Sequence, residues 1–250
     1  MELTEYRNSP IEKERVGSLM EMLAPGLRNA LDIGARDGHI SSLLADRIDQ
    51  VTALDLSLPH LDDPRIECVQ GDATALQFGD RSFDLVICAE VLEHIPTTLL
   101  SRACAELSRV SARHVLIGVP YKQDLRGDRS TCGNCGMSNP PWGHVNSFDE
   151  QRLNALFPDM EVAKVAHIGE TLEQTNSVSS WLMELAGNPF GTYGQEESCV
   201  HCGQPLGRAP ERRLHHKVLT RAAVSLDNLQ RPFLRPRAKW IHVLFEKRAA

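Results

Sequence analysis

The run F-D-L-V-I-C-A at 83–89 restricts the fold more than any other stretch of the chain. Asp84 is its one charged residue, so neither face is left polar. A strand of that kind is buried on both faces, as in a parallel sheet covered by helices. Four more short apolar runs stand at Ala30–Gly34, Val51–Leu56, Arg65–Gln70 and His114–Val119. Segments with helical spacing lie around and between them. Pro10–Leu23 brings Ile11, Val16, Leu19, Met20 and Leu23 together and stops at Pro25-Gly26. His39–Ile48 does the same with Ile40, Leu43, Leu44 and Ile48, and Leu99–Val110 follows. Strand and helix alternate five times within roughly 120 residues, which predicts an α/β, doubly wound arrangement with helices on both faces.

The rhythm breaks after Val119. Residues 121–147 are rich in Gly, Pro, Asn and Cys and read as an ordered loop. Phe148–Phe157 reads as a short helix capped by Asp149 or Ser147, Met160–Ile168 as a strand and Thr171–Ala186 as a helix. Gly187–Pro210 is again loop, Glu211–Leu229 a basic helix and Trp240–Phe245 a last strand. A length of 250 residues suits one domain, 1–250, with insertions at 121–147 and 170–239.

No window approaches 18 consecutive apolar residues, and residues 1–18 lack the apolar centre of a secretion signal. The expected location is therefore cytoplasmic, with no transmembrane segment. Thiols stay reduced there, so paired cysteines read as metal ligands or redox groups rather than structural disulfides. The net charge of −6 is unevenly spread. From residue 205 onward eleven Lys/Arg face three Asp/Glu, a local +8; the remaining 16 against 30 give −14. Such a basic segment can attract phosphates, nucleic acid or an anionic membrane surface, or it can be a solvated helix face.

L-D-I-G-A-R-D-G at 31–38 sits where a strand gives way to a helix. Glycines there let a ligand approach the backbone closely. Gly34 and Gly38 stand at relative positions 0 and 4, not at the 0, 2 and 5 of dinucleotide fingerprints. Asp55 ends the next strand, where a carboxylate can accept from both ribose hydroxyls, and Asp72 follows the third.

Asp32-x-Gly34-x-x-x-Gly38, Asp55, Gly71-Asp72 and the run 83–95 together resemble the class I S-adenosylmethionine-dependent methyltransferases, over roughly residues 28–120. The resemblance implies a Rossmann-like seven-stranded sheet, mostly parallel, with Trp240–Phe245 as the antiparallel last strand. It implies S-adenosylmethionine as cofactor. Gly34 and Gly38 would line its methionine and ribose, Asp55 would hold the ribose hydroxyls and Asp72 the adenine, with Leu56, Ala73 and Arg36 also on the cofactor-binding surface. Glu90 would hold the loop beside the cofactor, and Asp32 would orient the glycine loop or the amino group. The chain departs from the family at Arg36, where a third glycine is usual. That arginine either points to solvent, meets the cofactor's carboxylate or a substrate anion, or marks a site that binds cofactor poorly. NAD or another nucleotide is the alternative ligand. Asp55 and Asp72 also read as strand-end turn residues. Glu90, Glu93 and His94 read as helix-start charges or, on one helical face, as magnesium or zinc ligands.

Cys132-x-x-Cys135-Gly136 and Cys199-x-x-Cys202-Gly203 have the spacing of a four-thiolate zinc site. In the methyltransferase fold both knuckles follow strands that run the same way. One structural zinc would thus staple the two insertions into a lid or substrate subdomain. Two separate redox dithiols are the alternative, and His201 is a substitute ligand for one thiolate. Cys68, Cys88 and Cys104 read as buried small apolar residues.

Methyl transfer from a sulfonium needs alignment of the nucleophile, exclusion of water, and a base for a hydroxyl or protonated amine. His144, in P-P-W-G-H-V-N, and His94 are the candidate bases. Trp142 and Tyr121 are candidates to line an acceptor pocket. A small-molecule or sugar-containing acceptor is expected. Nucleic acid, bound through Arg212, Arg213, Lys217 and Arg221, is an alternative, as is a non-catalytic scaffold.

Overall fold

The chain's computed structural model describes residues 7–248. The first six residues of the N-terminal stretch read above lie outside them. Seven strands form the main sheet: β1 (Asn29–Ile33), β2 (Gln50–Asp55), β3 (Ile66–Gln70), β4 (Phe83–Ala89), β5 (Ser111–Pro120), β6 (Met160–Ile168) and β7 (Trp240–Lys247). Their order across the sheet is β3-β2-β1-β4-β5-β7-β6. β1 to β5 pair in parallel, and β7 runs antiparallel to both β5 and β6. β5 and β6 therefore point the same way, as expected. The order reverses beside β1, with β2 and β3 to one side and β4 and β5 to the other. Open α/β sheets bind ligands at such a reversal, outside the carboxyl ends of the strands.

The helices are α1 (Pro10–Glu21), α2 (His39–Ala45), α3 (Thr97–Val110), α4 (Glu150–Leu156), α5 (Ser177–Leu185) and α6 (Leu214–Gln230). Strand side chains alternate between the faces of the sheet, so β4 feeds two cores. Phe83, Val86 and Cys88 join Leu100, Ala103, Cys104 and Leu107 of α3 on one face. Leu85, Ile87 and Ala89 join Leu19 and Met20 of α1 and Leu44 and Ala45 of α2 on the other. This is the doubly wound architecture that the apolar runs predict.

Contacts divide the chain into two compact units. Among the described residues the first comprises 7–121, 148–169 and 238–248 and holds the sheet. The second comprises 122–147 and 170–237, the segments read as insertions. Within it Ser130–Thr131 pairs with Ser138–Asn139, and α5 packs on α6.

Helix ends differ from the periodicity. α2 stops at Ala45, with Asp46 as its cap, instead of reaching Ile48. The helix expected from Thr171 starts at Ser177, because Asn176 Oδ1 accepts from the N–H groups of Val178 and Ser179 and caps it. α6 starts at Leu214, three residues later than read. Spacing shows which side chains share a face, while the cap decides where the helix begins. Among the described residues no helix is long and apolar enough to cross a membrane.

Candidate functional site

The glycine loop leaves the carboxyl end of β1. The N–H groups of Gly34 and Ala35 both donate to Leu54 O, at 2.8 and 3.1 Å, which ties the loop to β2. Gly34 and Gly38 have φ of +78° and +74°, and a Cβ on either would strike Val91 or Leu61. Both positions need glycine for conformation and for space. Arg36, at the place of the third glycine, also has positive φ, at +48°. Its side chain is exposed, and its backbone N–H donates to Asp55 Oδ2 at 3.0 Å. The loop thus keeps a left-handed residue there without the glycine.

Asp32 is buried and accepts from Ser41 Oγ at 2.6 Å, pinning α2 beneath the loop. Burial, reinforced by the charge of Asp55, pushes its carboxyl up to about 7 against the Ser41 bond. Asp55 Oδ1 accepts from Ser57 N–H at 3.2 Å, so each of its oxygens already orders one loop and has acceptor capacity left. Asp72 Oδ1 accepts from Thr74 N–H at 2.7 Å in an Asx turn. Leu56 stands 70 % exposed at the end of β2, and Ala73 is buried. The carboxyl ends of β1, β2 and β3 thus carry the glycine loop, Asp55 and Asp72 on neighbouring strands. This set suits an adenosine-type ligand: an apolar side chain for a base, a carboxylate for a diol, and close backbone.

Sequence reading missed a chain of ion pairs around α1. Arg7 donates to Asp37 Oδ1 and to Glu12 Oε1, both at 2.8 Å. Arg15, fully buried like Glu12, donates two bonds of 2.8 Å to that carboxylate and stands 3.7 Å from Glu90 Oε1. Trp240 Nε1 donates to Glu90 Oε2 at 3.2 Å. The chain links the glycine loop, through α1, to the end of β4. No local pattern announces it, since its bonded partners lie up to 150 residues apart.

The E-V-L-E-H segment needs a correction. Residues 90–96 form turns rather than a helix, so Glu90, Glu93 and His94 share no helical face. Glu90 has φ +59°, and burial lifts its carboxyl above the usual range despite Arg15 and Trp240. Glu93 is wholly buried, and neither of its oxygens has a hydrogen-bond partner among the described residues. Burial, and after it the neighbouring Glu90 charge, raise its carboxyl well above the usual carboxylate range.

The four knuckle cysteines come together in the second unit. Their Sγ atoms all lie within 4.8 Å of one another. Cys132 Sγ to Cys202 Sγ and Cys135 Sγ to Cys199 Sγ are both 3.7 Å. Sulfurs about 2.3 Å from a tetrahedral centre stand roughly 3.8 Å apart, whereas a disulfide needs about 2.05 Å. The two knuckles are built alike. Gly136 N–H donates to Cys132 O at 2.9 Å and Gly203 N–H to Cys199 O at 2.8 Å, with φ +72° and +70° at the glycines. Burial works to raise the Cys199 thiol, but N–H groups of His201 and Cys202 bring it below the usual range. His201 Nε2 meets Ser138 O at 3.1 Å, which turns it away from the ligand set. Asn139, which the sequence did not single out, bridges the knuckles: its Oδ1 accepts from Val200 N–H at 2.9 Å. Cys88 and Cys104 are fully buried among apolar residues, and Cys68 is half-buried.

Residues 31–116, which hold the glycine loop, Asp55 and Asp72, match the family model described as a methyltransferase domain. Over those residues the chain is similar to the class I S-adenosylmethionine-dependent methyltransferases. A curated relative, the ubiquinone biosynthesis O-methyltransferase of Xanthomonas axonopodis pv. citri (strain 306), is 37% identical over 113 residues. That match covers 40% of this chain and 45% of the relative, less than half its length. Among solved structures, N-methyltransferase NodS from Bradyrhizobium japonicum WM9, in complex with S-adenosyl-L-homocysteine, superposes with a TM-score of 0.53 at 15% identity. It covers 98% of this chain and 91% of NodS. The 1,6-didemethyltoxoflavin-N1-methyltransferase of Burkholderia thailandensis gives a TM-score of 0.55 at 13% identity, over 98% of this chain and 81% of that one. At these identities the two structures speak for the fold alone.

In the methyltransferase domain His94 is half-buried, in the turn after β4. His144 belongs to the second unit, where it is buried, with Nδ1 2.6 Å from Gln123 Oε1. An Nδ1–H donated there leaves Nε2 as the basic nitrogen. Gln123 also lines a cleft of about 400 Å³ with Lys122, Asp124, Arg126, Gln174 and Arg237. Trp142, in the second unit, is 54 % exposed. Tyr121, in the first, is turned to Glu150, its hydroxyl 2.9 Å from Oε1.

Proposed function

We propose that the protein transfers a methyl group from S-adenosylmethionine to a small-molecule or sugar-containing acceptor. One observation carries this reading: the Gly34–Gly38 loop shares the carboxyl edge of the sheet with Asp55 and Asp72, at the ends of the two adjacent strands. When bound, the cofactor supplies a methyl group activated on a sulfonium. Asp55 accepts from its ribose hydroxyls, Leu56 and Ala73 flank its adenine beside Asp72, and Gly34 and Gly38 lie along its amino-acid end. Asp32 orients the loop through Ser41, and Glu90, held by Arg15 and Trp240, fixes the segment after β4. His144 Nε2 takes the acceptor's proton, with Gln123 setting its tautomer, and His94 is the second candidate. The name of the Xanthomonas relative, an O-methyltransferase of ubiquinone biosynthesis, supports a small acceptor methylated on oxygen.

The four cysteines hold one structural zinc, which the 3.7 Å sulfur separations support. Four thiolates leave no open position, so the metal serves structure and not chemistry. Chain connectivity supports a substrate-selecting role for the stapled segments, since one follows β5 and the other follows β6, both at carboxyl ends.

Calorimetric titration with S-adenosylmethionine and S-adenosylhomocysteine, with NAD as control, tests the cofactor. The first two bind, NAD does not, and Asp55→Ala weakens binding by roughly 10- to 100-fold through lost charge-assisted bonds. Silence from folded, zinc-loaded protein, or unchanged affinity in the variant, overturns the assignment.

A further inference from the structure

The outer face of α6 combines two features that a solvated helix does not need together. Leu214, Val218 and Leu229 are 77 %, 56 % and 69 % exposed, and Phe233, just past the helix end, is 82 % exposed. At 100° per residue the first three fall on one side of α6. The opposite side holds Thr220 and Ala223, the two buried residues of the helix. The outward apolar stripe is flanked by Lys217 and Arg221, with Arg213 at one end and Arg231 and Arg235 at the other, all exposed. The one acid within α6, Asp227, is turned away. Its Oδ1 accepts from Thr175 Oγ1 at 3.0 Å and faces Asn176 Nδ2 at 3.4 Å, on the side of α5.

We propose that α6 and the turn after it dock this protein on an anionic membrane surface. Leucine and phenylalanine beside lysine and arginine, on a helix too polar to span, is the composition of a helix that lies in the lipid interface. The apolar stripe enters the acyl boundary while the cations meet lipid phosphates. A second copy of the chain is a poor occupant, because the same five cations would face one another. Nucleic acid would use the cations but gains nothing from aliphatic side chains, since its apolar contacts are stacked aromatics. The inference is independent of the methyltransferase reading.

Sedimentation of the full chain with lipid vesicles tests it. The protein pellets with phosphatidylcholine vesicles containing about 30 % phosphatidylserine and stays in solution with phosphatidylcholine alone, and added salt weakens binding. Lys217→Glu with Arg221→Glu lowers vesicle affinity at least tenfold, since each cation near such a leaflet is worth about fivefold. Leu214→Ser with Leu229→Ser lowers it comparably at unchanged charge. All four side chains are exposed, and circular dichroism checks that both variants keep the fold. The proposal falls if anionic vesicles do not bind the protein, or if the Leu→Ser variant binds them as wild type does. It also falls if a single-stranded RNA oligonucleotide binds more tightly than the vesicles at the same salt.

Discussion

Asp32 stands at the end of β1 with a carboxyl raised to about 7, and the sign of the effect on stability follows from that direction. A raised carboxylate binds its proton in the folded state when the unfolded chain has released it. Its contribution to stability is full below the ordinary aspartate range and is lost as pH rises from about 4 to about 7. Asp32→Asn, which keeps an acceptor for Ser41, therefore stabilises the unliganded protein, by roughly 2–3 kcal/mol more at pH 8 than at pH 5. Urea denaturation at the two pH values checks it; an equal gain at both sinks the assignment. Arg36 carries a different cost. Its φ of +48° belongs to the left-handed region, which costs a side-chain-bearing residue about 1–2 kcal/mol. Arg36→Gly should raise stability by about 1 kcal/mol, read as a higher urea midpoint at unchanged slope. A lower midpoint would show that the arginine side chain contributes more than its backbone costs.

At the scale of elements, the two knuckles and the sheet draw on different energies. β4 and β5 are buried on both faces by apolar packing. The knuckle loops have little of that: around the sulfurs only Leu206 completes the buried cluster. On the proposed four-thiolate reading, a bound metal would supply the folding energy there. Purified protein should contain about one zinc per chain, and Cys135→Ser should release it and lower stability by several kcal/mol. Two zinc ions per chain, or none in folded protein, would exclude the shared four-thiolate site. Legibility also varied by element. Strand spans of the sheet were readable to within a few residues, because a two-sided burial leaves an unbroken apolar run. The start of α5 was not, because it depends on Asn176 turning its side chain onto two N–H groups. The 90–94 segment misled, because its acids sit at helical spacing on a chain that turns.

Across the molecule, the two units differ in how they are held. Among the described residues of 122–147 and 170–237, the buried apolar side chains are Cys132, Pro141, Ala186, Cys199, Leu206 and Ala223. The largest apolar side chains of this unit, such as Trp181, Phe190 and Phe233, are outside. Every residue proposed to hold the cofactor belongs to the other unit, which has apolar cores on both faces of its sheet. Chelation should therefore unfold the second unit first and leave S-adenosylmethionine affinity within about threefold of its starting value. Scanning calorimetry with a chelator, followed by cofactor titration, reads both; complete loss of cofactor binding on chelation would refute the separation.

The sequence by itself determined the doubly wound sheet, the glycine loop and the pairing of two Cys-x-x-Cys knuckles, since each is written in neighbouring residues whose local periodicity or spacing has few physical solutions. Only the tertiary structure decided what distant residues do to one another. It brought sulfurs 64 and 70 positions apart to 3.7 Å. It ran an ion-pair chain from Asp37 through α1 to Glu90, and buried Glu93 with neither oxygen hydrogen-bonded among the described residues. It also turned Asp227 inward while leaving Leu214, Val218 and Leu229 facing out. The reason is the same in each case: charge, burial and coordination depend on distance in space, and a chain that crosses its sheet seven times makes that distance unrelated to separation along the sequence.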